Sequence, residues 1–506
     1  MRNLVHSIGI IAFILCIALP ISADEGFGFG FDDEAGESTS AGIAPSVTVS
    51  GEAKASILAH IDELDSSSSR KAFNAGPLFS GKLGFDASAA NAEASVNLNL
   101  DAAESIPVSL SEAWVRGYWG KLDLTAGIQK LTWGKADIEG PLDMINPIDY
   151  SDLTVIDQMD RKIARPLVHA SWAAGSFTKV EAVFIPGFEP SRFDTDGRWK
   201  PNELSNFSSG IAAVVPAAIE KTLTQMVGLG LINPMTDPAG FAATQGSLTS
   251  SITKSLTDLQ TDGVSGFFPN TETIKYGQFG LRATTTIESH DMGLQYFTGN
   301  LRKPSVSVDS ATVFTHTVNP ALPTEATLAF NPNAISVSYD RYHQFGADWA
   351  TVLAGFNLRA EAAINLTADL KGTDGAIANP AALWSIGFDR DIIAGINVNA
   401  QGTGSVRLMH NKLGGAPDDC EAGKNLTSTR IMLRLSRKFF RDEVEFLVTG
   451  LWGIEDADWY VIPELNWVRN SIALGVRAGF FGGNSDGELG QYKDNDYATL
   501  MIKYLF

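Results

Sequence analysis

Residues 356–367 read Phe-Asn-Leu-Arg-Ala-Glu-Ala-Ala-Ile-Asn-Leu-Thr, with an apolar side chain at nearly every second position. Phe356, Leu358, Ala360, Ala362, Ile364 and Leu366 share one face, and Asn357, Arg359, Glu361, Asn365 and Thr367 share the other. A helix would bring residues together every 3.6 positions, so this period of two predicts a strand with one apolar face. Residues 471–480 repeat the pattern.

About eighteen such segments can be counted between residues 46 and 506, and their connections alternate in length. The short ones lie around Ala90, Gly120, Gly175, His290, Asp391, Arg441 and Asn470. The long ones are 61–78, 132–164, 187–275, 300–333, 369–380, 405–428 and 482–493. Short turns at one end and long loops at the other are typical of outer-membrane barrels. The sequence therefore predicts an all-β, transmembrane, antiparallel up-and-down β-barrel of about 18 strands, with 16 as the alternative count.

The chain ends in an alternating segment whose last residue is aromatic. Leu500, Ile502, Tyr504 and Phe506 share the apolar side, and Thr499 and Lys503 lie on the other. A terminal Phe of this kind resembles the signal that the outer-membrane barrel assembly machinery reads. We therefore expect that machinery, through Phe506, and outer-membrane lipids as partners; a homo-oligomer is left open.

The first residues read as an export signal. Arg2 precedes an apolar run from Ile8 to Leu19, and Ser22-Ala23 supplies small residues for cleavage. The run is too short to span a membrane, which disfavours an uncleaved anchor. We expect a signal peptide at 1–23, an acidic, Gly-rich leader at 24–44, and a barrel at 45–506 in the outer membrane of a double-membraned bacterium.

The composition excludes several classes of function. A net charge of −20 argues against nucleic-acid binding, which needs a basic face. Two Cys cannot build a disulfide framework or a Cys-rich zinc site, and we predict neither cofactor nor metal. His169 and Ser171 would share one face, but no nucleophile motif accompanies them. We therefore predict that the chain is not an enzyme.

The polar faces of the strands are expected to line the lumen. The predicted pore-lining residues are Arg116, Lys179, Arg282, Arg359, Glu361, Arg430, Arg434 and Arg477. Lys503, Glu112, Asp123, Glu181, Glu443 and Glu445 join them, which leaves the wall close to neutral. Such charges could be structural ion pairs, or together they could form a field that selects solutes.

The 132–164 connection carries too many apolar residues for a solvated loop, so we expect it to fold against the inner wall. Its proposed constriction residues are Trp133, Asp137, Asp143, Asn146, Asp149, Arg161 and Arg165. The alternative is a structural latch that does not contact solute.

The 187–275 insertion is too long to be an unstructured connection. Helices are predicted at 211–232 and 247–259, with Pro216 near the start of the first and Gly228 near its end. The insertion could plug the lumen or form a separately packed extracellular hairpin.

Two motifs carry a resemblance. Residues 127–134 have the form G-x-Q-x-x-x-W-G, and Asn146-Pro147-Ile148-Asp149 has the form N-P-x-D. With residues 342–349 and 480–506, they resemble a large, poorly characterised family of proteobacterial outer-membrane proteins. The resemblance implies a porin-like barrel and a link to movement of hydrophobic compounds or lipids.

The leading hypothesis is thus a porin-like channel for passive passage of small solutes, with selectivity from luminal Arg and Lys opposed to the acidic inward loop. The second hypothesis is a transporter of hydrophobic compounds or lipids gated by the 187–275 insertion. An outer-membrane hydrolase and a surface adhesin are the alternatives from other classes.

Overall fold

The computed structural model of the chain describes residues 45–61, 78–195, 197–262, 268–309, 312–392, 395–413, 420–421 and 423–506. Within 204–214, 257–262 and 307–308 the backbone alone is described. The predicted signal peptide and acidic leader lie outside the described residues.

Eighteen long strands dominate the fold. They are β1 (Ser46–His60), β2 (Leu78–Ala89), β3 (Ala92–Asp101), β4 (Val108–Trp119), β5 (Leu122–Gln129), β6 (Arg165–Ala173), β7 (Thr178–Ile185), β8 (Gln278–Ile287), β9 (His290–Asn300), β10 (Arg341–Leu353), β11 (Phe356–Thr367), β12 (Ala381–Asp391), β13 (Ile396–Arg407), β14 (Thr427–Phe439), β15 (Val444–Gly453), β16 (Asp458–Arg469), β17 (Ile472–Gly483) and β18 (Tyr497–Leu505).

Each strand pairs antiparallel with the next strand along the chain. β18 then pairs with β1, so that Tyr504 lies opposite Ala53 and the sheet closes on itself. Closure leaves no strand edge with unpaired backbone groups, which a sheet in hydrocarbon requires. The predicted up-and-down barrel is confirmed, and its strand count is eighteen rather than sixteen.

The connections alternate in length as predicted. Tight turns join β2 to β3, β4 to β5 and every later even-numbered strand to its successor. The odd connections are longer, apart from 102–107 and 454–457. One boundary differs from the prediction of a strand at 334–348: β10 starts at Arg341, because Ile335–Ser338 pairs separately with Ser305–Val308.

Large apolar side chains cover the outside of the barrel. They include Leu122, Leu124, Val168, Trp172, Phe184, Leu281, Leu294, Phe345, Ile386, Ile431, Leu435, Leu465, Val476, Leu500, Ile502, Tyr504 and Phe506. These are the alternate positions that the period of two assigns to one face. An outward apolar belt on a closed sheet is the surface that a bilayer stabilises.

The connections contain the remaining elements. The helices are α1 (Gln158–Arg161), α2 (Asn202–Gly228) and α3 (Pro238–Asp262). Short 3₁₀ turns cover Ile274–Tyr276, Pro323–Glu325, Pro332–Ala334 and Gly490–Tyr492. Phe314–Thr317 pairs with Thr327–Phe330, and Asp149–Tyr150 pairs in parallel with Arg192–Phe193. No helix in the described part of the chain is long and apolar enough to cross a membrane.

Helices α2 and α3 pack with the β9–β10 connection into one module, which comprises 202–262, 305–309 and 312–338. Its buried core joins Leu223, Met226, Leu248 and Ile252 to Leu328 and other residues of that connection. The first helix starts at Asn202, earlier than the predicted 211, so Pro216 lies inside the helix rather than near its start. All described members of this core lie in the insertion or in the β9–β10 connection, so these two segments pack on each other.

Adjacent residues on β16 test the two faces. Leu465 points outward, whereas Asn466 points inward and pairs in register with Glu445. We expect Leu465→Arg to lower the free energy of unfolding by about 1–3 kcal/mol, because it places a cation in hydrocarbon. Asn466→Arg, which meets a carboxylate in the lumen, should cost much less. Urea unfolding in lipid vesicles measures both, and equal losses would contradict the assigned faces.

Candidate channel lumen and inward loop

The connection from β5 to β6, residues 130–164, folds back into the barrel and is called the inward loop below. Trp133 and Ile145 are almost fully buried in this loop. They pack on Leu167, Val183, Ile185, Phe297 and Tyr342, which are inward positions of β6, β7, β9 and β10. Burial of these apolar groups accounts for the inward path, because a solvated loop would leave them in water.

Asn146 ties the two ends of the inward loop together. Its side chain is fully buried, and its Oδ1 accepts a hydrogen bond from the Leu131 N–H at 2.7 Å. Its Nδ2 donates to the carbonyls of Gln129 at 3.1 Å and Ile163 at 3.0 Å. The amide thus forms hydrogen bonds with three backbone groups, at the end of β5 and at both ends of the loop. This contact gives a physical reason for the Asn of the N-P-x-D motif.

The tip of the inward loop wraps around the carboxylate of Glu361 on β11. Glu361 accepts hydrogen bonds from the backbone N–H groups of Lys135, Ala136 at 2.7 Å and Leu142 at 3.4 Å. Gly134, with φ +103°, leaves room for it, because a Cβ there would come within 2.4 Å of Glu361 Oε1. Hydrogen bonds to a buried carboxylate are among the stronger ones in proteins. Glu361 is therefore an anchor of the loop tip. The Gly of the W-G pair is required because the Glu361 carboxylate lies too close to position 134 for a side chain.

Amide side chains of the wall hold the same tip. Gln401 Oε1 on β13 accepts from the N–H groups of Asp137 at 2.8 Å and Ile138 at 3.2 Å. Gln344 donates to the Pro141 carbonyl at 2.9 Å, and Gln295 donates to the Leu142 carbonyl at 3.1 Å. Sequence reasoning missed these three glutamines. Their inward strand positions were the available signal, but an uncharged amide does not reveal its distant partner.

The later part of the inward loop reaches the opposite wall. Arg477 on β17 donates to the Thr154 carbonyl at 3.2 Å, and Tyr460 on β16 donates to the Leu153 carbonyl at 3.1 Å. Asp160 pairs with Lys82 on β2 at 2.5 Å. Since its tip contacts β9 to β13, the loop crosses the lumen from one wall to the other.

The predicted constriction acids are largely paired. Asp137 forms an ion pair with Arg359, which also pairs with Asp389 at 2.5 Å. Asp143 pairs with the buried Lys162 ammonium at 2.7 Å. Burial raises the pKa of the Asp143 carboxyl, and the Lys162 charge opposes this rise. Paired acids of this kind fix the local structure of the loop, in addition to any contribution they make to the electrostatic field in the lumen.

The remaining predicted loop residues lie near the insertion. Asp149 pairs with Arg192 at 3.0 Å, and Arg165 pairs with Glu189. Arg161 lies 3.7 Å from Glu139 and its guanidinium covers the Tyr150 ring at 4.7 Å. These residues link the inward loop to the start of the insertion rather than meeting at one point.

The predicted luminal charges are spread around the wall. Arg282 and Asp348 form a buried pair at 2.8 Å, and Arg477 pairs with Glu464 at 2.8 Å. The other pairs are Arg116 with Glu93 at 3.7 Å, Lys179 with Glu181 at 3.4 Å, and Arg430 with Glu488 at 2.7 Å. Arg434 is on the inward face of β14 and is exposed. Glu443, predicted on a strand, lies in the turn before β15.

His169, the candidate base, donates a hydrogen bond from its Nε2 to the Glu181 carboxylate at 3.1 Å within the wall. It is buried, and its neighbour in register is Thr125. This contact gives the histidine a structural partner. Among the described residues, no group of His, Cys, Asp and Glu is arranged to hold a metal ion.

An aromatic cluster joins the insertion to the lumen mouth. Trp199 of the insertion packs against Tyr460, Phe481, Tyr492 and Tyr497. Tyr460 and Phe481 stack with their ring centroids 3.9 Å apart and an angle of 7° between the ring planes. Tyr460 and Tyr497 share a hydrogen bond at 2.7 Å. The insertion therefore contacts both the barrel wall and the inward loop.

Comparison with known proteins gives a family and a set of distant barrels. The family model described as "Protein of unknown function (DUF1302)" matches residues 67–430, more than half of the chain. No curated protein is significantly similar in sequence.

Three solved structures illustrate the structural likeness. Pseudomonas aeruginosa OpdL has 8% identity and a TM-score of 0.45, covering 91% of this chain and 98% of its own. The outer membrane protein OpdK from Pseudomonas aeruginosa has 8% identity and a TM-score of 0.46, covering 91% and 99%. Salmonella typhi OmpF in complex with daunomycin has 8% identity and a TM-score of 0.39, covering 92% and 100%. The fold assignment rests on the strand pairing of this chain itself.

Glu361→Gln tests the anchor of the loop tip. The variant keeps the side-chain shape but removes the anion that receives three N–H groups. In a Cys420→Ser background, we expect a thiol probe to label Ala136→Cys about tenfold faster, because hydrogen bonds to a charged acceptor contribute roughly 1.5–3 kcal/mol. Glu445→Gln, which removes the same charge from the inward face of β15, is the control. Equal labelling rates in both variants would show that Glu361 does not hold the tip.

Proposed function

We propose that this chain, which belongs to the DUF1302 family of proteins of unknown function, forms a porin-like channel for the passive passage of small solutes. The observation that carries the proposal is the inward loop, which crosses the interior of a closed 18-stranded barrel. A barrel of this strand number is wide enough for an aqueous lumen. A loop anchored within it narrows that lumen to a constriction.

The outer membrane is the proposed location. The closed antiparallel sheet satisfies its backbone groups internally, and its outward face carries many large apolar side chains. Both properties meet the conditions of a bilayer, where water cannot satisfy an open edge. The terminal Phe506 lies on the outward face and remains our candidate signal for barrel assembly.

Selectivity is proposed to come from luminal cations facing acids of the inward loop. Arg359 is the clearest case, since it lies between Asp137 of the loop and Asp389 of β12. Asn399 adds a hydrogen bond to Asp137 at 2.9 Å. A solute that passes this point meets a charged group whose balance depends on one loop carboxylate.

A transporter of hydrophobic compounds or lipids, gated by the insertion, is the second candidate. The supporting observation is that the insertion contacts the inward loop directly. Arg192–Phe193 pairs with Asp149–Tyr150, and Trp199 packs in the lumen mouth beside Leu153. A displacement of the insertion would therefore act on the loop that crosses the lumen.

Planar bilayers with purified full-length protein test the channel. We expect stepwise ion conductance, and we expect Asp137→Asn to shift the permeability ratio toward chloride by about twofold, because Arg359 then retains one carboxylate. Asp123→Asn makes the same charge change on the inward face of β5, away from the loop, and should shift the ratio less. A protein that inserts but never conducts would remove the main support for the proposal.

Deletion of residues 205–262 tests the second candidate. If the insertion gates an apolar path, cells carrying the deletion should take up an apolar dye at a different rate from cells with the intact chain. Ion conductance of the deletion variant shows whether the barrel still forms. Unchanged dye uptake with normal conductance would leave the simple solute channel as the better description.

A further inference from the structure

A cluster of cations lies on the inward faces of β17, β18, β1 and β2. Lys54 of β1 is directly opposite Lys503 of β18 in the strand register. On β2, Ser80 lies directly opposite Lys54, and Lys82 lies directly opposite Glu52. Lys82 is therefore on the diagonal from Lys54. Directly opposed side chains have Cβ atoms roughly 5 Å apart, and like charges at such positions are destabilising.

The neighbouring carboxylates that the structure describes leave one cation of this cluster, Lys54, without an ion pair. Glu52 lies 3.4 Å from Lys503, Asp160 of the inward loop pairs with Lys82, and Glu464 pairs with Arg477. Among the described residues, no carboxylate forms an ion pair with the half-buried Lys54. The charged groups that act on Lys54 are Lys503, Glu52, Arg477 and Asp160. Lys82, Lys503 and Arg477 thus each have a carboxylate at ion-pair distance, and Lys54 is the cation of this cluster that has none in the described part of the chain.

We propose that Lys54 and Lys503 form a binding station for a small monovalent anion within the lumen. This inference rests on the proposed channel and names the class of solute that it favours. An ammonium is a compact charge with three donors, so it suits a halide or a carboxylate without demanding a fixed geometry. An anion between the two ammonium groups relieves their repulsion and supplies Lys54 with the counter-charge that no described carboxylate provides at ion-pair distance.

The station differs from the pairs at the loop tip. Arg359 is shared by two carboxylates on the β11–β13 side, whereas the opposed Lys54 and Lys503 lie across the lumen on the β18–β1 side. The ion pair of Asp160 with Lys82 brings the inward loop to the edge of this cluster. An anion that enters beside the loop therefore meets Lys54, which has no ion pair of its own with any described residue.

Reversal potentials in a KCl gradient test the station with the full-length protein. We expect wild type to favour chloride over potassium, and Lys54→Gln and Lys503→Gln each to lower that ratio about twofold or more. Lys54→Arg should preserve it. Lys121→Gln, which removes a charge at the tight β4–β5 turn, should leave it unchanged. Acetate and benzoate should reduce the chloride current with saturation in wild type and less so in Lys54→Gln.

Stability supplies a readout that does not need conduction. At constant ionic strength, acetate exchanged for a bulky sulfonate should raise the unfolding temperature of wild type more than that of Lys54→Gln, since ligand binding stabilises the folded state. If the protein conducts but Lys54→Gln changes neither its selectivity nor the effect of acetate on its stability, the binding station is wrong and the proposed channel still holds. Absence of conduction in wild type overturns the channel instead, and the acetate effect then decides the station separately.

Discussion

The structure depends on the requirement that every backbone N–H and C=O within hydrocarbon has a partner. Eighteen antiparallel strands meet this requirement only because β18 returns to β1, with Glu52 to His60 in register with Tyr497 to Leu505. Once the sheet is closed, each strand has a face toward lipid and a face toward the interior. The sequence period of two follows from this division, since a shift of one residue would exchange the two faces.

The interior presents the opposite problem, because polar groups removed from bulk water need partners there. The inward loop supplies many of them from its own backbone. Glu361 and Gln401 take N–H groups of the tip, and Gln344 and Gln295 take its carbonyls. The wall and the loop thus satisfy one another, which explains how buried polar side chains such as Gln344 and Glu361 persist without a charged partner for each.

Most of the fold could be predicted from the sequence because strand periodicity and loop length are local properties. The alternation at 356–367 and the tight turn near Gly120 need no knowledge of distant residues. The apolar content of 132–164 likewise indicated a buried loop. The residues that hold the loop tip could not be predicted, because they come from strands far along the chain and carry no shared motif. Asn146 belonged to a motif, but its role as a clasp between Leu131 and Ile163 required the folded geometry. The start of α2 was misplaced because Pro216 reads as a helix beginning, whereas the helix starts at Asn202, which forms hydrogen bonds with Gln491 and Ser485 of the β17–β18 connection.

The anchoring of the loop tip has a consequence for biogenesis. Lys135 and Glu361 are separated by 226 positions, and Asp137 and Gln401 by 264. The tip therefore has no receptor until β11 and β13 are folded into the wall, and contacts of such long sequence separation form late. During membrane insertion, the apolar residues of the loop stay unburied until those strands are in place. We therefore expect anchoring of the loop to be among the last steps of folding, after much of the wall has formed.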